Sequence, residues 1–169
     1  LDSFSVFCSH VLTPAAMKAI LNVAADAGEG ETLEVDGFIG PSHVSVIIGS
    51  DAYRFCARQY HKPVVIAGFE PLDVLQAILM LVRQLNEGRT DIENQYTRAV
   101  TPEGNRKAQA AVAEVFELRP SFEWRGLGAI PRSALGIADA YRAYDAEHRF
   151  NMVYQAAQGT KGCECPAVL

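Results

Sequence analysis

The stretch Pro63-Val-Val-Ile-Ala-Gly-Phe-Glu-Pro-Leu-Asp73 constrains this chain more than any other. The apolar run between Pro63 and Gly68 is rich in valine and suits a short strand covered on both faces. Gly68 permits a sharp backbone turn, and Pro71 fits the first helical position, where its missing N–H costs nothing. Glu70 then becomes an N-cap at the carboxyl end of a central strand, the place where open α/β sheets bind ligands. A carboxylate there either caps its helix or lines a crevice.

The flanking sequence supplies repeats of the same unit. Phe4–Cys8 alternates as a strand would, and Thr13-Pro14 opens a helix to about Ala27 with Met17, Ile20, Leu21 and Ala24 on one face. Val35–Ile39 reads as a second strand, and Ser42 as the cap of a short helix over Val44–Ile48 that Gly49 stops. Asp51 opens a further helix to about Tyr60. The longest helix is expected from Pro71 to about Asn86, with the stripe Leu72, Leu75, Ile78, Leu79, Val82 and Leu85 buried against a sheet or another domain. Glu93–Val100 reads as extended. Thr101-Pro102 repeats the cap-plus-proline device before a helix to about Glu117. Phe122–Trp124 is a strand candidate, and a last helix contains Ala138, Tyr141 and Tyr144. Alternating strands and helices predict an open, mostly parallel αβα sheet domain over residues 1–100, with a mixed α/β extension over 101–169.

Composition excludes several classes. The net charge of −5, with no basic block, leaves no footprint for nucleic acid. No apolar run approaches the ~20 residues that span a bilayer, and no signal peptide opens the chain. The expectation is a cytoplasmic α/β protein. Cys8 and Cys56 sit in apolar patterns as small buried residues, and Cys163-x-Cys165 supplies two thiolates where a tetrahedral iron or zinc site needs four ligands. Leu1 is an unusual start and the chain stops soon after Cys165, so a piece of a longer protein is expected.

Chemistry-bearing residues gather at the expected strand ends. His10, Pro41 with Ser42 and His43, and Glu70 each fall just past a strand, and in one parallel sheet those ends share an edge. Asn94, Tyr96 and Arg98 are candidates for lining the same cleft. Each has a plainer reading: a strand-end histidine bonded to a carbonyl, a helix start, a solvated polar turn. His10, His43 and Glu70 could form a two-histidine-one-carboxylate metal set, but no H-x-x-x-H spacing supports it. Gly40-Pro41-Ser42-His43-Val44 is not a G-x-S-x-G elbow, and no glycine pattern makes a phosphate loop.

Taken in order, the motifs resemble the hydrogenase maturation family HypD. They are Ser9-His10 with Pro14 and Ala16-Met17; Asp36-Gly37-Phe38 with Pro41 and His43-Val44-Ser45; Val65–Pro71 with Asp73 and Leu75; Glu93-Asn94-Gln95-Tyr96 with Arg98 and Val100; Gly104-Asn105 with Ala108; and Trp124–Gly128 with Ile130-Pro131. Ser42 stands where the family usually has glycine, and Ala15 where a second proline is common. The resemblance implies a scaffold more than a stand-alone enzyme, one that helps assemble the Fe(CN)2CO unit of [NiFe] hydrogenases with HypC and HypE. It also implies iron and a [4Fe–4S] cluster in the full-length protein. The family's Cys-Gly-Thr-His-Glu stretch, thought to hold the iron, has no match here, so no cofactor is expected in this chain, and Cys163 and Cys165 would only approach the cluster region. His10, His43 and Glu70 would orient ligands of the iron from one wall of a cleft. The competing class is a small α/β transferase or hydrolase holding an anionic metabolite at the same strand ends.

Overall fold

In the computed structural model, which describes residues 3–26 and 35–152, the chain forms two compact units. One is contiguous, residues 27–110; the other joins residues 1–26 to 111–169.

The contiguous unit is built on three parallel strands in the order β2 (Phe38–Gly40), β3 (Val64–Ile66), β4 (Ile92–Asn94). Phe38, Val64 and Ile92 lie in one row across the sheet, and Gly40, Ile66 and Asn94 in another. Every residue of β3 is fully buried, as its unbroken apolar run requires of a strand flanked on both sides. Between β2 and β3 run α2 (Ser42–Ile48), a 3-10 turn (Ser50–Tyr53) and α3 (Arg54–Tyr60). Between β3 and β4 runs α4 (Pro71–Asn86), whose Ala77, Met80 and Leu81 pack on Val65 and Ala67. The helix ends in a Schellman motif. Gly88 takes φ +65°, its N–H reaches the Leu85 carbonyl, and the Arg89 N–H reaches that of Gln84.

The discontinuous unit carries α1 (Thr13–Asp26) and an antiparallel sheet in the order β1 (His10–Val11), β8 (Ala134–Ile137), β5 (Phe116–Leu118). A hairpin pairs β6 (Ser121–Trp124) with β7 (Gly128–Pro131), and a 3-10 turn (Asp139–Tyr144) leads into α6 (Ala146–Arg149). Arg119 ties the unit together. Its guanidinium donates to the Leu135 and Cys8 carbonyls at 3.0 Å each and forks onto Glu147 at 3.0 and 2.7 Å. The helix α5 (Arg106–Val115) joins the two sequence regions.

The expected α/β architecture with a helix-flanked parallel sheet is present, while the other described sheets are antiparallel. Four local expectations are corrected. Phe4–Cys8 is not a strand: only Val6 bridges, to Asp145, because its N–H and C=O are taken by Tyr144 and Ala146. The second strand lies at Phe38–Gly40, later than its valine suggested. Thr101-Pro102 starts a turn rather than a helix: Thr101 Oγ1 accepts the Gly104 N–H at 3.1 Å, Gly104 takes φ +70°, and α5 begins at Arg106 under Asn105, whose side chain accepts the Ala108 N–H. α4 has the predicted bounds, but of the two partners expected for its apolar stripe, a sheet or another domain, the chain's own sheet is not the one. Leu72 is 78% and Leu75 62% exposed, while Asp73, Ala77 and Gln84 form the buried face.

Candidate functional site

The carboxyl ends of β2, β3 and β4 open onto the first residues of α2, the turn before α4, and the loop after β4. Glu70 is the N-cap of α4, but its side chain makes no cap bond; its carboxylate is 76% exposed and 3.5 Å from an Arg98 nitrogen. The question left by pattern alone, cap or crevice, therefore resolves toward an outward carboxylate.

Arg98 owes its position to a residue that site reasoning missed. Asp73, only 4% exposed, accepts two bonds from the Arg98 guanidinium, at 2.9 and 2.5 Å, and a third from Gln95 Nε2 at 2.8 Å. Gln95 Oε1 in turn accepts the Gly68 N–H at 3.2 Å. These bonds, Arg98 first and Gln95 next, pull the Asp73 carboxyl down from 3.8 to about 2, while the bond to Asp73 raises Arg98. The Glu70 backbone N–H adds to the hold on Asp73, the return half of a capping box. The signal was present: an acid at the third position of a helix opened by Glu70-Pro71. Gly68 completes the arrangement, since a Cβ there would overlap the Asp73 carboxylate. The guanidinium lies 4.4 Å above the Tyr96 ring, a cation–π contact that fixes its outer face.

His43, the second residue of α2, sets its ring edge-on to Phe69 at 4.5 Å. Pro41 caps α2 by backbone geometry, and its carbonyl accepts the Ser45 hydroxyl. Ser42 is buried with its Oγ lacking a hydrogen-bond partner, which removes it as an exposed nucleophile. Asn94 is structural on one side: its Nδ2 donates to the Val100 carbonyl at 2.8 Å, closing the loop after β4, while its Oδ1 is buried without a partner.

His10 stands on a different footing. Its strand pairs antiparallel with β8 in the other unit, so the parallel sheet does not bring it to the edge that Glu70 and His43 share. There its Nδ1 is 3.2 Å from Cys8 Sγ and its ring is edge-on to Phe116. Among the described residues no group of three or more histidine, cysteine or acidic side chains could hold a metal, and Cys8 with His10 is two ligands only. Cys163 and Cys165 lie outside the described residues. No described helix is long and apolar enough to cross a membrane.

Chemically, the edge offers one outward carboxylate, an imidazole, and a guanidinium whose charge is balanced by buried Asp73. Glu70 and Asp73 against Arg98 leave an excess negative charge. Such an edge favours a cation or a hydrogen-bond donor over a free anion.

Comparison with known proteins bears on the chain as a whole. The profile of the family described as HypD, hydrogenase formation hypA family, matches residues 1–169. The chain is similar to the hydrogenase maturation factor HypD of Azotobacter vinelandii (63% identity), covering all of this chain and 44% of the relative. The HypD of Rhizobium leguminosarum bv. viciae is 60% identical with the same coverage. That of Escherichia coli K12 is 40% identical over 99% of this chain and 43% of its own. The chain thus spans under half the length of these curated relatives.

Proposed function

The chain belongs to the HypD family of hydrogenase maturation proteins, and on that premise we propose that its parallel-sheet edge forms one wall of the cleft in which the hydrogenase iron centre is assembled. The iron unit is the cargo there, delivered and completed with HypC and HypE, and its direct ligands come from outside this chain. The observation that carries the reading is the outward Glu70 carboxylate beside an Arg98 neutralised by buried Asp73.

The division of labour follows from donor and acceptor chemistry. Arg98 N–H groups left free by Asp73 donate toward the electron-rich ends of diatomic ligands on a metal. Glu70 accepts from any ligand precursor that still carries a proton. His43 serves as donor or acceptor according to its tautomer, and Phe69 holds its ring in place. Asp73, Gln95 and Tyr96 hold Arg98 rather than touch the cargo. The rival reading, an enzyme for an anionic metabolite, is less favoured because Asp73 balances the Arg98 charge and Glu70 adds a negative one beside it.

The test uses a chimaera in which these 169 residues replace the matching stretch of the Azotobacter vinelandii relative. The chimaera is expressed in a host lacking its own HypD. Glu70→Gln and Arg98→Gln are expected to lower hydrogenase activity of the extract more than tenfold while the chimaera stays at parental abundance on immunoblots. Full activity in both variants would sink the cleft-wall assignment.

A further inference from the structure

The helix α4 is amphipathic in reverse. Its buried face carries Asp73, Ala77 and Gln84, and its outward face carries Leu72, Leu75, Leu79 and Val82 at spacings of three, four and three residues. That is the a/d pattern of a helix–helix seam, extending over two heptads, and exposures run from 78% at Leu72 to 45% at Val82. Ile78 and Leu85, both exposed, widen one flank. Arg83 is the lone charge on this outward face, near its carboxyl end, and Asp73 on the buried face is the other charged residue of the helix.

We propose that this seam is the docking site for a helix from the part of the HypD chain outside these 169 residues. The occupant would carry apolar side chains at three- and four-residue spacing and an acidic residue opposite Arg83. Three arguments converge on that occupant. The curated relatives extend well beyond the match, which covers only 44% of the Azotobacter vinelandii protein. A segment of the same polypeptide binds intramolecularly, and where its linker spans the distance its effective concentration reaches about millimolar, above that of a second copy at micromolar levels. And α4 is already fixed by its buried face and its Schellman end, so docking there orders one helix rather than two. The packing expected is side by side, near the +20° crossing of heptad seams.

The same chimaera tests the proposal without reference to hydrogenase activity. Leu75 is replaced by the photo-cross-linker p-benzoylphenylalanine, and the irradiated protein is mapped by mass spectrometry. An intramolecular cross-link to a segment outside the 169 residues is expected. Separately, Leu75→Glu with Leu79→Glu is expected to lower the chimaera's Tm by several degrees and to leave that of the 169-residue chain unchanged. Cross-links to a second copy, to another protein or within the 169 residues would overturn the proposal. So would an absence of cross-links, or equal Tm shifts in both contexts. The cleft-wall reading stands or falls on Glu70 and Arg98 and is untouched by any of these results.

Discussion

At neutral pH Asp73 is charged although nearly buried, because Arg98 and Gln95 satisfy its carboxylate. With the folded value near 2 and the unfolded one near 4, its stabilisation is complete above about pH 4 and is lost as pH falls through about 2. Urea midpoints measured from pH 5 to pH 2 should fall, and Asp73→Asn should start lower but show a shallower slope. Parallel slopes would contradict the assignment. Ser42 offers the opposite case. Its buried hydroxyl has no partner, so Ser42→Ala should stabilise the chain by about 1 kcal/mol in denaturant titration. At this scale Glu70 was legible from its place after β3, whereas Arg98 was only a cleft-lining candidate inside Glu93–Val100, a segment expected to be extended but strand only over Ile92–Asn94. Asp73 was not legible, because an acid in a first helical turn has a sufficient reason to be there without a guanidinium.

Elements were legible where the pattern had one meaning. Proline at the first position and glycine past the end delimit α4, and the structure agrees at both bounds. Which face is buried had two meanings, since an apolar stripe faces either the chain's own sheet or something else, and periodicity cannot choose. The small Ala77 lets α4 lie close on Val65 and Ala67, and that close approach selects the face with fewer leucines. The start of α5 was misread for a similar reason: Thr101-Pro102 and Asn105 are both good openings, and the positive φ of Gly104 decides between them. Asn105→Ala should therefore cost about 1 kcal/mol in chemical unfolding, whereas Thr101→Ala should leave the helicity of α5 unchanged by amide exchange. Equal effects would place the cap wrongly.

For the whole molecule, the error was to make Phe4–Cys8 the first strand of the parallel sheet, when the strand that forms is β1. Strand–helix repetition favours that topology, but β1 has only two residues and pairs with β8, more than a hundred residues later, through contacts no local window reveals. Each unit holds a buried thiol, Cys8 in one and Cys56 in the other, and burial pushes Cys56 up to about 11. Native protein at pH 8 should leave both unalkylated by iodoacetamide. With rising denaturant, the two should become reactive at separate midpoints if the units open independently, read by peptide mass spectrometry.

The return of the chain from residue 111 into the unit begun by residues 1–26 has a consequence for synthesis. Residues 27–110 are complete as soon as that length clears the ribosome, but His10 and Val11 must wait for Leu135 and Ala134, and Cys8 for the Arg119 clasp. Until then the first segment is held open at the cost of a long loop. On stalled nascent chains, Cys56 should become shielded from alkylation at shorter lengths than Cys8. Of the two units, the one whose first strand is translated earlier is thus completed later.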